Sequence, residues 1–275
     1  MNLLKINDLT EGETLKIFDL ADRLREQKTS NILQGKTFVL FFPETSLRTR
    51  VTFEKGISDL GGKTILFPPN TLDKKEKLED VISYMENWVD GVIVRHKDYS
   101  TIEELAKYAS IPIINAMTSE NHPCEILSDV YSISRIRDNF TDLTYTFVGE
   151  EGNIFNSWFN ISKLMNLNLH HISPNNDIEL EDVLRVTDII LTDPLPSDLI
   201  NDEYISKYQI TLERMKLTKK NSLLNPCPPF FRNEEVSKDV IDSECFVGYE
   251  FKKNLIYVQQ AIILWCLGIY DISSI

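Results

Sequence analysis

Apolar and polar positions along this chain fall into two alternating patterns. Short runs that are apolar almost throughout, TFVLFF (37–42), KTILF (63–67), DGVIVRH (90–96) and IPIINA (111–116), read as buried strands. YTFVGEEGN (145–153), LHHISP (169–174), DIILTD (188–193) and NSLLNPCPP (221–229) repeat the theme in the second half, each closing on a polar or proline-rich corner. Between these runs apolar residues recur at helical spacing. Thr10 and Glu13 form a capping box ahead of a stripe through Leu15, Phe18 and Leu24. Phe53, Ile57 and Leu60 follow the first strand, and Gly61–Gly62 ends their helix. The charged DKKEKLED (73–80) leads into a helix predicted through ISYMENWV (82–89). EELAKYA (103–109) and CEILSDVYSISRI (124–136) give two more, and a last helix over about 254–268 ends at Gly268.

Strands alternating with helices predict an α/β architecture of two doubly wound parallel-sheet domains of similar size, joined by interdomain helices. The boundary is expected in the long helix around 130–138. That gives one domain over 1–132, a second over 133–253, and a C-terminal helix segment, 254–275, packing back on the first. Ligands of open parallel sheets bind beyond the carboxyl ends of the strands. The corners there are Ser46–Arg50, Arg95, His122, Asn153, Asp193 and Asn225–Pro229.

A net charge of −13 argues against nucleic acid or an anionic membrane surface as a partner. An anionic substrate must then be drawn by a local basic cluster. Cys124, Cys227, Cys245 and Cys266 are scattered without a C-x-x-C pair, the pattern of reduced thiols in a cytosolic protein. The N-terminal stretch lacks the features of a signal peptide. The longest apolar run, AIILWCLGI (261–269), is about half the ~20 residues of a spanning helix. A soluble, cytoplasmic protein is expected. No G-x-G-x-x-G or G-x-x-x-x-G-K-[ST] points to a nucleotide.

One corner is chemically odd. TSLRTR (45–50) puts Arg48 and Arg50 in the first turn of a helix, where unpaired N–H groups and the positive macrodipole end disfavour cations. An anion there reverses the argument: three hydroxyls, free amides and two guanidinium forks are the parts of a phosphate cradle. The alternative is a solvated helix start whose arginines pair with Glu44 and Glu54. Arg95 and His122 end neighbouring segments, and together with the cradle they could polarise a carbonyl attached to a phosphate.

FFPETSLRTRVTFEKGISDLGG (41–62) resembles the Ser-Thr-Arg-Thr-Arg loop of the aspartate and ornithine carbamoyltransferase family, with its following Phe-Glu and Leu-Gly-Gly. KKEKLEDVISYMENWVDGVIVRH (74–96), NHPCEILSDVYSI (121–133) and NPCPPFFRNEEV (225–236) resemble further motifs of that family, in order. The resemblance implies carbamoyl transfer from carbamoyl phosphate to an amine, no metal or organic cofactor, and homotrimers or multiples of trimers. It implies that Ser46, Leu47, Arg48, Thr49 and Arg50 hold the phosphate. It further implies that Thr49, Arg95 and His122 meet the carbonyl oxygen and, with Cys227, are catalytic, and that Glu125 and Cys227 belong to the carbamoyl site. Asn153, Asp193 and Ser197 resemble the ornithine branch and are assigned to the amine acceptor. Asp193 is alternatively a turn residue before Pro194.

Some positions depart from the family pattern. Leu47 replaces a Thr, and Glu125 replaces a Gln; a carboxylate beside a phosphate is costly unless it is protonated or paired. Asn225 and Pro226 occupy the motif's His and Cys places, with Cys227 one place late, and a cis Cys227–Pro228 bond is expected. Leu255 replaces an Arg whose charge Lys252 or Lys253 could supply. Two readings follow: an active transferase for an unusual amine, or an idle relative that binds a phosphorylated ligand or a partner protein.

Overall fold

The computed structural model describes residues 1–26, 31–175 and 179–272. The chain divides into two compact units, Met1–Ser132 with Lys252–Ile275, and Ile133–Phe251. Each contains a four-stranded, all-parallel sheet among the described residues, so the expected α/β fold with two doubly wound sheets is what the chain forms.

The first unit alternates α1 (Glu11–Glu26), β1 (Thr37–Phe41), α2 (Leu47–Asp59), β2 (Lys63–Phe67), α3 (Leu78–Met85), β3 (Gly91–Arg95), α4 (Tyr99–Tyr108), β4 (Ile113–Met117) and α5 (Pro123–Ile136). Its strand order is β2-β1-β3-β4. The central strands β1 and β3 are buried almost throughout, as their unbroken apolar runs require, whereas edge strand β2 alternates exposed and half-buried residues. The Thr10–Glu13 capping box closes on both sides, with the Thr10 amide donating to Glu13 at 2.8 Å and the Glu13 amide to Thr10 Oγ1 at 3.2 Å. Gly61, at φ +81°, ends α2 in the left-handed region that only glycine adopts freely. One helix is shorter than its pattern predicts. α3 stops at Met85, because Asn87 Nδ2 donates to the carbonyls of Ser83 and Tyr84 at 2.8 and 3.1 Å and takes over the last turn.

The second unit continues with β5 (Thr144–Val148), α6 (Asn153–Leu164), β6 (Asn168–Ile172), α7 (Leu180–Leu184), β7 (Ile189–Thr192), α8 (Asp202–Tyr208), α9 (Leu212–Met215), β8 (Leu223–Pro226), α10 (Lys238–Ile241) and α11 (Gly248–Lys252), whose last residue returns to the first unit. Strand order is β6-β5-β7-β8. One face of this sheet packs Val148, Ile172, Ile190 and Leu224 against Leu184, Tyr204, Met215 and Val240 of the helices.

The last helix, α12 (Leu255–Cys266), is apolar on nearly every side and lies within the first unit against α1 and α2. Gly56 permits that approach. A Cβ there would stand 3.3 Å from Gln260 Cγ, and the Gln260 amide donates to the Gly56 carbonyl at 2.8 Å.

Both sheets reverse their winding at the same place. The chain goes from the first strand to one neighbour and then returns to the other side, leaving a switch point between β1 and β3, and another between β5 and β7. Crossovers diverge there, and a crevice opens beyond the carboxyl ends of the two strands.

Candidate active site

At the first switch point, the loop after β1 turns on itself, with Ser46 N–H donating to the Pro43 carbonyl at 3.0 Å, and delivers Ser46 to the start of α2. Ser46 is the N-cap residue by position, yet its hydroxyl does not cap the helix. It accepts instead from Arg95 Nη1 at 3.1 Å, and the same nitrogen lies 3.4 Å from Thr49 Oγ1. Arg95 reaches both because β3 pairs directly with β1. The first turn of α2 carries no acid and two arginines. Arg50 is half-buried and pairs with Glu54 at 2.5 Å, while Arg48 is exposed. The side chain of Leu47 is 69% exposed and its amide is already spent on the Thr45 carbonyl. Leu47 therefore supplies position and no donor.

β4 ends in a loop that brings His122 to the N-terminus of α5, where Pro123 takes the first helical place. His122 is buried, and burial pulls its imidazole down to about 4, opposed by Glu125 and reinforced by Arg95 and Lys252. At neutral pH the ring is therefore uncharged and can donate one N–H. One turn on, Glu125 is 5% exposed. Its partner is Lys252, whose Nζ lies 2.6 Å from Glu125 Oε1 and 2.6 Å from Asp129 Oδ1. Burial opposes ionisation of Glu125, but Lys252 and then His122 outweigh it, so the carboxyl is held below the usual carboxylate range. The carboxylate that the sequence leaves without a cation is thus paired. Leu255, at the place of the family's Arg, is buried in α12.

At the second switch point, Asn153 opens α6 just beyond β5, and Asp193 follows β7 directly. Burial pushes the Asp193 carboxyl up to about 7, against a hydrogen bond from Cys227. Cys227 follows β8, its amide donating to the Thr192 carbonyl at 2.9 Å, so adjacent strand ends bring these two together. Ser197 is not drawn in; it is exposed at the start of a single 3-10 turn, Ser197–Leu199. Asn225 is buried inside β8 with neither amide atom partnered. The cis peptide is Pro228–Pro229, where Cys227–Pro228 was expected. Both bonds precede a proline and both can adopt cis at small cost, so the sequence offered two equivalent places.

Glu235 is missed by the sequence reading, because RNEEV looks like a solvated polar run. It is 4% exposed, and its Oε1 accepts the Phe231 amide at 2.8 Å. Burial, opposed by that amide and assisted by Asp193, raises its carboxyl to about 7. The one available signal was its place just after the proline-rich corner. Among the described residues no helix is long and apolar enough to cross a membrane.

Comparison with known proteins matches both halves of the chain. The family model described as "Aspartate/ornithine carbamoyltransferase, carbamoyl-P binding domain" covers residues 1–135, and the one described as "Aspartate/ornithine carbamoyltransferase, Asp/Orn binding domain" covers 178–266. The ornithine carbamoyltransferase of Desulfotalea psychrophila is 30% identical over 97% of this chain and 99% of its own. That of Nitrobacter winogradskyi is 28% identical over 97% of each. The solved ornithine carbamoyltransferase of Burkholderia thailandensis shares the fold with a TM-score of 0.89 at 22% identity, over 98% of this chain and 99% of that one. The Thermus thermophilus structure does so with a TM-score of 0.88 at 23% identity, over 97% and 98%.

Proposed function

Because this chain belongs to the aspartate/ornithine carbamoyltransferase family, and so moves the carbamoyl group of carbamoyl phosphate to an amino acceptor, we propose that its first unit holds carbamoyl phosphate at the start of α2. The observation that carries this is a helix start that lacks everything a helix start ordinarily has. Its N-cap hydroxyl makes no cap hydrogen bond, no acid stands in its first turn, Arg48 and Arg50 lie in that turn, and Arg95 donates to the Ser46 hydroxyl. Arg50 is paired with Glu54, and a phosphate dianion offsets the charges of Arg48 and Arg95 and takes the free amides.

In this reading Ser46, Arg48, Thr49 and Arg50 bind the phosphate, with Leu47 holding the turn between them. Thr49, Arg95 and neutral His122 donate to the carbonyl oxygen and are matched to the oxyanion that forms there. Glu125 accepts from the carbamoyl NH2. The nitrogen lone pair of a neutral amine adds to the carbonyl carbon, the C–O bond to phosphate breaks, and the leaving phosphate takes the proton released by the nitrogen. Most of the acceleration comes from fixed donors and from positioning the two reactants.

The acceptor we propose is an α-amino acid with a side-chain amine, ornithine or a near homologue of it. Asp193 takes its α-ammonium, Asn153 meets another of its polar groups, and Cys227 acts through its hydrogen bond to Asp193. An ammonium stabilises the ionised form of Asp193, so acceptor binding competes with a proton. As pH falls below about 7, the pKa of the empty site, KM for the acceptor should rise about tenfold per unit. Asp193→Asn should remove that break and lower kcat/KM for the acceptor by about 10- to 150-fold, the worth of one charged hydrogen bond. An unchanged pH profile in that variant would leave Asp193 as a turn residue.

We also place the chain in a homotrimer and in the cytoplasm. Leu47 and Val51 of α2, with Ile65 and Phe67 of edge strand β2 beside it, present an apolar face suited to a subunit contact. Four free thiols suit a reducing compartment.

A further inference from the structure

Two of the departures from the family pattern are linked through a third residue, Lys252. Glu125 stands where the motif has Gln, and Leu255 where it has Arg; each alone reads as a loss. Yet a lysine three residues before Leu255 lies 2.6 Å from Glu125. Lys252 is also 2.6 Å from Asp129, one helical turn further along α5. Both carboxylates are buried, at 5% and 1% exposure, and Lys252 is largely covered. A single ammonium thus bridges two buried carboxylates. His122 and Arg48 also act electrostatically on Glu125.

We infer that Lys252 is a positioning residue for the carbamoyl group, fixing Glu125 as an ionised acceptor for the carbamoyl NH2, so that Glu125 and Lys252 together do the work of the family's Gln. This rests on the carbamoyl phosphate reading above. The geometry allows it, because Lys252 engages Glu125 through Oε1 and reaches Asp129 at the same time. The lysine is locked from two sides, so the carboxylate cannot swing to follow it. A carboxylate held this way accepts N–H bonds and repels any group without a hydrogen to give. The chemistry selected is therefore an acyl phosphate whose acyl group carries an NH2, not an acyl phosphate in general. The pair also removes the objection that an acid here must spoil the anion site.

Acetyl phosphate separates this role from a structural one, since it replaces the NH2 by a methyl of similar size. Calorimetric titration of the full-length protein with carbamoyl phosphate and with acetyl phosphate gives the discrimination ratio. Wild type should prefer carbamoyl phosphate at least tenfold. Lys252→Met should bring the ratio near one while leaving the acetyl phosphate affinity within about twofold. Lys252→Arg should keep the preference. Glu125→Gln combined with Lys252→Met should restore part of it, because a glutamine needs no cation to stay an acceptor. If Lys252→Met keeps the wild-type ratio, or loses both ligands equally while Lys252→Arg does the same, the inference is overturned and the lysine is merely structural. A wild type that binds both phosphates equally would also overturn it, with the phosphate cradle intact. A wild type that binds neither would overturn the carbamoyl phosphate reading itself.

Discussion

Arg95→Met is expected to lower kcat by 10²- to 10³-fold, the largest single loss in this account. The figure is that for removing one preorganised donor from a developing oxyanion, about 2.7–4 kcal/mol. Arg95 is well placed for the part. It ends β3 at the switch point, and its Nη1 is held by Ser46 and Thr49 at 3.1 and 3.4 Å, so it needs no reorganisation when charge appears on the carbonyl oxygen. Stability should change far less. Once Arg95 is gone, the Ser46 hydroxyl is free to rotate onto the unpaired amides of its own helix, and such a cap contributes about 1 kcal/mol. One cation also leaves the positive end of the dipole. The check is single-turnover kinetics beside a thermal melt. A large drop in the melting midpoint with kcat preserved per folded molecule would assign Arg95 to the fold.

Arg48→Ala is the second large effect. Its side chain is exposed and, among the described residues, pairs with no carboxylate by contact, although its charge reaches Glu125. At the start of α2 it costs the empty protein a few tenths of a kcal/mol. It is retained, on this account, for the phosphate. Removing it should lower kcat/KM for carbamoyl phosphate by about 10- to 150-fold, the range of one charge-assisted hydrogen bond, and leave stability unchanged or slightly higher. Arg50 makes a useful contrast, because its Glu54 partner already compensates it. Wild-type kinetics in Arg48→Ala would move the phosphate off this helix end.

The strands and the corners were legible because a parallel sheet buried on both faces leaves unbroken apolar runs, and each run here stops at a polar joint. The arginine joint was legible for a different reason: it contradicts the dipole of its own helix, and a local contradiction needs no partner to be noticed. What stayed hidden depends on groups distant in sequence. Lys252 and Glu125 meet only because α11 ends beside α5, and no periodicity announces that. Glu235 sits in a run of charged residues that reads as surface, yet the fold wraps it under the corner after β8. The cis bond had two equivalent prolines to choose from. The end of α3 was decided by an asparagine side chain on two carbonyls, a contact finer than any apolar pattern.

Release of inorganic phosphate from carbamoyl phosphate, corrected for spontaneous decay, reports carbamoyl transfer itself. It would be run with ornithine, its shorter and longer diamino homologues, aspartate and putrescine, and the products weighed by mass spectrometry. Acceptor-dependent release is expected with a diamino acid, matched by a product heavier by one carbamoyl group in place of hydrogen. Little is expected with putrescine, which has no carboxylate and no α-amino acid head. No acceptor-dependent release with any of these amines, from a folded protein that binds carbamoyl phosphate, would contradict carbamoyl transfer by this chain.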